Sequence, residues 1–275
     1  MQAAEFFTDS LYKGTGISTG LARGLQVRTG GVDLTQEGMG LGTAAIRCGG
    51  KTFFAQESEV IWQNPQQLVI EYVIDTEFRS GTGGRADHLI TRLRECLSAF
   101  YRLAPPLQRA LLSAGFYWRD LLGIKEQLVP GDPKARVRFE YYLHPVQVDI
   151  VCEFEFLGPL PQQLFIMNEL GADFFTSAWH QDGLCECPGG WEVCPDQGGL
   201  PFLLSPQWGL LYSLSDITVD KGWRFKVYWG REKHARLCWA GFAIQINPES
   251  IPQRKILCRY TVKFSRHGIE EHSDE

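Results

Sequence analysis

Residues 134–157, KARVRFEYYLHPVQVDIVCEFEFL, constrain the fold more than any other stretch. Ala135, Val137, Phe139, Tyr141 and Leu143 alternate with Lys134, Arg136, Arg138, Glu140, Tyr142 and His144, the two-residue period of a strand with one face in the core. Val148, Ile150, Cys152, Phe154 and Phe156 repeat the alternation against Gln147, Asp149, Glu153 and Glu155. The break at His144 and Pro145 predicts an antiparallel hairpin. Its charges select a register in which Arg138 faces Glu153 and Arg136 faces Glu155, each pair contributing a few tenths to about 1 kcal/mol. A slip of one residue would turn the apolar face outward.

The same period recurs elsewhere. LVIEYVIDTEF at 68–78 reads as a strand whose second face carries Glu71, Asp75 and Glu77. LFIMNEL at 164–170, WGLLYSLSDITVD at 208–220, WRFKVYWG at 223–230, RLCWAGFAIQI at 236–246 and ILCRYTVKF at 256–264 add further strands. Gly49-Gly50 is a candidate hairpin turn. GTG at 14–16 and GMGLG at 38–42 lack the spacing of a phosphate-binding loop and read as tight turns.

SGTGGRAD at 80–87 changes the rhythm. Leu89, Ile90, Leu93, Cys96, Leu97 and Phe100 form an apolar helical stripe, and Pro105-Pro106 ends it before a second stripe through Leu111, Ala114, Trp118 and Leu122. The expected fold is therefore mainly β with a helical insert. It is an antiparallel β-sandwich or open β-barrel packed by a central α-hairpin at 86–122. Residues 123–133 read as loop. A single large domain over 1–275 is expected, with a subdomain boundary near 123–133, since the 275 residues can fill one sizeable core.

A net charge of -5 offers no general attraction for nucleic acid, and none is expected as a partner. The beginning MQAAEFFTDSLYKGTG lacks a signal-peptide pattern, and no apolar run reaches the roughly 18 residues of a membrane span. A cytoplasmic protein follows as the expectation, with oligomeric state open.

The least ordinary segment is FFTSAWHQDGLCECPGGWEVCPDQGG at 174–199. His180, Cys185, Cys187 and Cys194 supply one imidazole and three thiols, a donor set suited to a structural zinc. The spacing holds C-x-C without paired C-x-x-C knuckles, so a disulfide, a reactive thiol cluster and plain loop cysteines remain alternatives. A second reading joins His180 with Asp75, Glu169 and Asp182 as acid and base groups, with Trp118, Trp179 and Trp191 walling an apolar ligand. That set suits an isomerase, dehydratase or cyclase acting on a small or medium-sized apolar organic substrate in a β-lined cavity. The alternatives are a noncatalytic hydrophobic-ligand binding protein and a structural or interaction domain with a cysteine-rich stabilising loop.

Overall fold

The computed structural model describes residues 5–7, 24–35, 40–81, 125–180, 183–195, 199–234, 237–249 and 253–266. Its strands begin with β1 (Glu5–Phe7), β2 (Gln26–Thr29), β3 (Val32–Asp33), β4 (Gly40–Cys48), β5 (Lys51–Phe54) and β6 (Glu59–Asn64). Next come β7 (Gln67–Gly81), β8 (Lys125–His144), β9 (Gln147–Phe156), β10 (Gln163–Gly171), β11 (Ser177–His180) and β12 (Gly183–Glu186). The last are β13 (Glu192–Val193), β14 (Phe202–Ser205), β15 (Leu210–Val219), β16 (Trp223–His234), β17 (Leu237–Pro248) and β18 (Lys255–Arg266).

The alternation at 134–157 folds as its residues dictate. β8 and β9 pair antiparallel with Arg138 opposite Glu153 and Arg136 opposite Glu155. Arg136 and Glu155 form an ion pair at 3.1 Å. Arg138 instead reaches Glu140 at 2.9 Å and Glu71 at 3.2 Å, leaving Glu153 to Lys255 at 3.1 Å. Gly49 and Gly50 make the tight turn between β4 and β5, both with positive φ.

One sheet runs in the order β12-β11-β14-β15-β18-β9-β8-β7-β5-β4-β10-β17-β16-β13, with β6 added to β7. A smaller sheet holds β1, β2 and β3. By contacts, Met1–Thr76 with Gly131–Glu275 forms one compact unit and Glu77–Pro130 a second, of which the described parts are the strand segments 77–81 and 125–130.

Within the first unit the long sheet doubles over on itself. Tyr212 on β15 donates its hydroxyl to the Asn168 carbonyl on β10 at 2.9 Å, and Tyr260 on β18 donates to Asn168 Oδ1 at 3.0 Å. Tyr141 on β8 reaches the Leu41 and Gly42 carbonyls on β4, each at 3.2 Å. Strands far apart in sheet order thus face each other across a core that includes Phe139, Phe154, Phe242 and Ile244, all fully buried. Tyr212 meets Phe242 and Phe175 edge to face and stacks on Phe264.

This doubling corrects the expectation of a β fold packed by a helical insert. Among the described residues every regular element is a strand, and the apolar face of the sheet is covered by another part of the same sheet. The residues given to the α-hairpin, 86–122, lie outside the described residues. The loop expected at 123–133 is corrected too: β8 already begins at Lys125 and runs through Pro130, Gly131 and Pro133. Those three residues signal a break in isolation, but neighbouring strands hold the backbone extended.

Candidate active site

Glu169 projects from β10 on the face opposite Asn168, since the strand alternates between fully and partly buried positions. In register it lies between Gly40 on β4 and Gly241 on β17, and Gly241 in turn lies opposite Gly230 on β16. A row of four strands therefore carries a single side chain, the Glu169 carboxylate. The glycines are there for close backbone approach. A Cβ at Gly241 would strike the Asn168 carbonyl oxygen, one at Gly230 the Gly190 carbonyl oxygen, and one at Gly40 the backbone of Gly24.

The neighbouring row is Gly171, Trp239 and Glu232. Trp239 is buried, and Trp191 stacks on it with ring centroids 3.9 Å apart. The segment bearing Trp191 is tied to β16 by Arg231 N–H donating to the Pro188 carbonyl at 2.9 Å and Cys194 N–H to the Val227 carbonyl at 2.8 Å. Burial first, and Glu232 second, push the Glu169 carboxyl up to about 7.

The other expected acid and base groups stand elsewhere. His180 ends β11, half-buried, with Nε2 lacking a hydrogen-bond partner. Asp75 lies on β7 and accepts a hydrogen bond from Thr76 Oγ1 at 2.8 Å. No hydrogen bond or ion pair joins His180, Asp75 and Glu169 to one another among the described residues. Asp182 and Trp118 lie outside them. Trp179 is exposed, in register with exposed Leu184 and Phe202 across β12, β11 and β14.

Asp75 does line a cavity. A cleft of about 540 Å³ is bordered by Glu57, Glu59, Glu71, Asp75 and Arg136. Its lining is polar and offers little to the apolar ligand expected from the sequence. Glu59 and Glu71 lie directly opposite across β6 and β7, and like charges so placed repel. Replacing Glu59 with lysine is expected to stabilise the protein by a few tenths to about 1 kcal/mol. Urea unfolding at low and high salt checks this, because the gain should shrink as salt rises.

Among the described residues no group of three or more His, Cys, Asp or Glu side chains is placed to hold a metal ion. Cys185 is exposed, whereas Cys187 and Cys194 are buried and their thiols are pushed up to about 12, chiefly by desolvation. Cys185 is therefore expected to take up iodoacetamide at least tenfold faster than Cys187 or Cys194 in the native protein, as peptide mass mapping would show.

Sequence reasoning named Glu169 and Trp191 but missed Glu232 and Trp239. The available signal was glycine inside strand patterns, at Gly230 and Gly241, which marks close backbone approach. The registers that set Glu169 beside Glu232 were not legible.

No protein-family model matches the sequence, and no curated protein matches it. Among solved structures, a heparinase III gene product is 8% identical with a TM-score of 0.40. That alignment covers 88% of this chain, which spans only 29% of the length of that one. A galactose mutarotase related enzyme from Lactobacillus acidophilus is 7% identical with a TM-score of 0.31, covering 89% of this chain and 91% of that one. A galactose mutarotase-like protein from Lactobacillus casei is 9% identical, also at 0.31, covering 96% of this chain and 100% of that one. Likeness at this level assigns neither a family nor an activity. No helix among the described residues is long and apolar enough to cross a membrane.

Proposed function

We propose that the protein catalyses proton transfer on a small or medium-sized organic molecule, with Glu169 as the group that gives and takes the proton. The observation that carries this is the Glu169 carboxylate standing alone in a row of glycines beside the stacked Trp191 and Trp239, where burial raises it to about 7. Both protonation states of such a group are populated at neutral pH. It can therefore donate to a developing oxyanion in one step and accept from an acidic O–H or C–H in another. Glu232 sustains the shift, because a second carboxylate nearby opposes ionisation. Trp191 and Trp239 would supply an apolar wall that limits water on one side, and the close-packed glycine row would hold the Glu169 backbone in place. An isomerase, dehydratase or cyclase would use a group of this kind.

The test is isotope wash-in. The protein is incubated in deuterated water with a panel of carbon acids and aldoses, and exchange or anomerisation is followed by NMR. The expected result is turnover of at least one substrate class, with Glu169→Gln slowed by roughly 10²–10⁴-fold. If the panel is turned over no faster by the wild type than by Glu169→Gln, the reading fails.

A further inference from the structure

β12 is the last strand at one end of the long sheet, and among the described residues its outer side pairs with no other strand. The hydrogen-bond phase of that edge follows from the ladder. Successive residues of an antiparallel strand bond to opposite sides. Phe264 N–H donates to the Val146 carbonyl at 2.8 Å, on the β9 side, so Lys263 and Ser265 bond to β15. Carrying the alternation through the registers of β15, β14 and β11 leaves Leu184 and Glu186 with their N–H and C=O groups directed out of the sheet.

The side chains at this edge have a matching pattern. Phe202, Trp179 and Leu184 lie side by side on one face, 37%, 40% and 62% exposed. The apolar row therefore runs out to the free edge and ends at Leu184, the most exposed large apolar side chain among the described residues. Glu186, two residues on and on the same face, is also exposed. Residues 174–199 hold four carboxylates, Asp182, Glu186, Glu192 and Asp196, and no lysine or arginine.

We propose that β12 is a docking edge for an extended segment of a partner protein, added antiparallel as a further strand, with an apolar residue opposite Leu184 and a lysine or arginine opposite Glu186. Both positions are hydrogen-bonded pairs, so the same two partner residues supply the bonding N–H and C=O groups. In the partner's own direction the basic residue precedes the apolar one by two. The apolar residue continues the row of Phe202, Trp179 and Leu184, and the basic residue selects the strand by charge. A second copy of this chain fits the edge less well. Pairing β12 with itself sets Glu186 against Glu186 or against Leu184, or, centred on Leu184, brings together two acidic segments that lack a basic residue. Glu186 thus keeps like chains apart while leaving the edge open to a basic strand.

The probe is a fluorescent six-residue peptide, serine-lysine-threonine-valine-threonine-serine, titrated with the full chain to roughly 0.5 mM at low salt and followed by anisotropy. Binding is expected. It should weaken about three- to tenfold in Glu186→Lys, or when glutamate replaces the peptide lysine, and recover when the two changes are combined. N-methylation of the peptide valine should weaken binding about tenfold, whereas N-methylation of the threonine before it, whose N–H points away, should have little effect. Leu184→Ser should lose the peptide with its urea midpoint almost unchanged, since the side chain is exposed. Absence of binding, binding indifferent to the charge at position 186, or equal loss from both N-methylated peptides overturns the proposal. Self-association of the protein alone that Leu184→Ser abolishes, seen by sedimentation, overturns it too and gives the edge to a second copy.

Discussion

Glu169→Gln is expected to raise stability near pH 8 and to leave it almost unchanged near pH 4. The folded carboxyl is raised from 4.5 to about 7, so between those values the native state holds a proton that the unfolded chain has released. Stability therefore falls as pH rises across this window and levels off above it. Full burial would make the shift worth roughly 3 kcal/mol, and the surface that Glu169 retains reduces this to about 1–2 kcal/mol. Glutamine keeps the shape and cannot ionise. Urea midpoints at several pH values for both proteins check the claim, and parallel profiles would refute it. If the same substitution stabilises the fold and abolishes turnover, Glu169 is kept at the expense of stability for the sake of its reaction.

Asn168→Leu is expected to destabilise the protein by about 2–4 kcal/mol. Asn168 Oδ1 accepts from the Gly42 N–H at 3.0 Å and from the Tyr260 hydroxyl at 3.0 Å, and all of this is buried. Leucine fits the space but strands both donors, each at a cost of about 1–3 kcal/mol. The gain from removing Asn168 Nδ2, which has no partner, offsets part of that. Tyr260→Phe removes one donor together with its need and should cost only about 1 kcal/mol. In the Asn168→Leu background, Tyr260→Phe should then be neutral or stabilising. Chemical unfolding of the two single variants and the double variant measures the coupling, and simple additivity would show that the two side chains do not act together.

Legibility in the sequence followed the range of the forces involved. The β8–β9 hairpin could be read down to Arg136 opposite Glu155, because alternation and charge act between neighbours in sequence. The pairings of β10 with β4 and β17 could not, since nothing local in LFIMNEL says which strands will flank it. Pro130 and Pro133 misled for the same reason, their local preference being overridden by neighbours that the sequence does not identify. At the candidate site, Glu169 was named as a carboxylate on a strand, but Glu232 is its neighbour only through the register of β10, β17 and β16. Glu71 and Asp75 could be placed on one strand face from the sequence, because residues an even number apart along a strand point the same way, and both border the cleft.

The Asn168 hub also sets an order of events during synthesis. Gly42 and Asn168 are 126 residues apart, and Asn168 and Tyr260 are 92 apart. At about 5–20 residues per second, the Gly42 amide waits on the order of 10 s for its acceptor to be made, and as long again for Tyr260 to follow. The β8–β9 hairpin is complete well before that. Bonds with such long closures form late, so substitutions at Asn168 should act mainly by speeding unfolding, with the folding rate little changed. Until Tyr212 and Tyr260 arrive, the apolar face of β10 lacks the layer that β15 and β18 supply, and the nascent chain is open to chaperones and to aggregation over that interval.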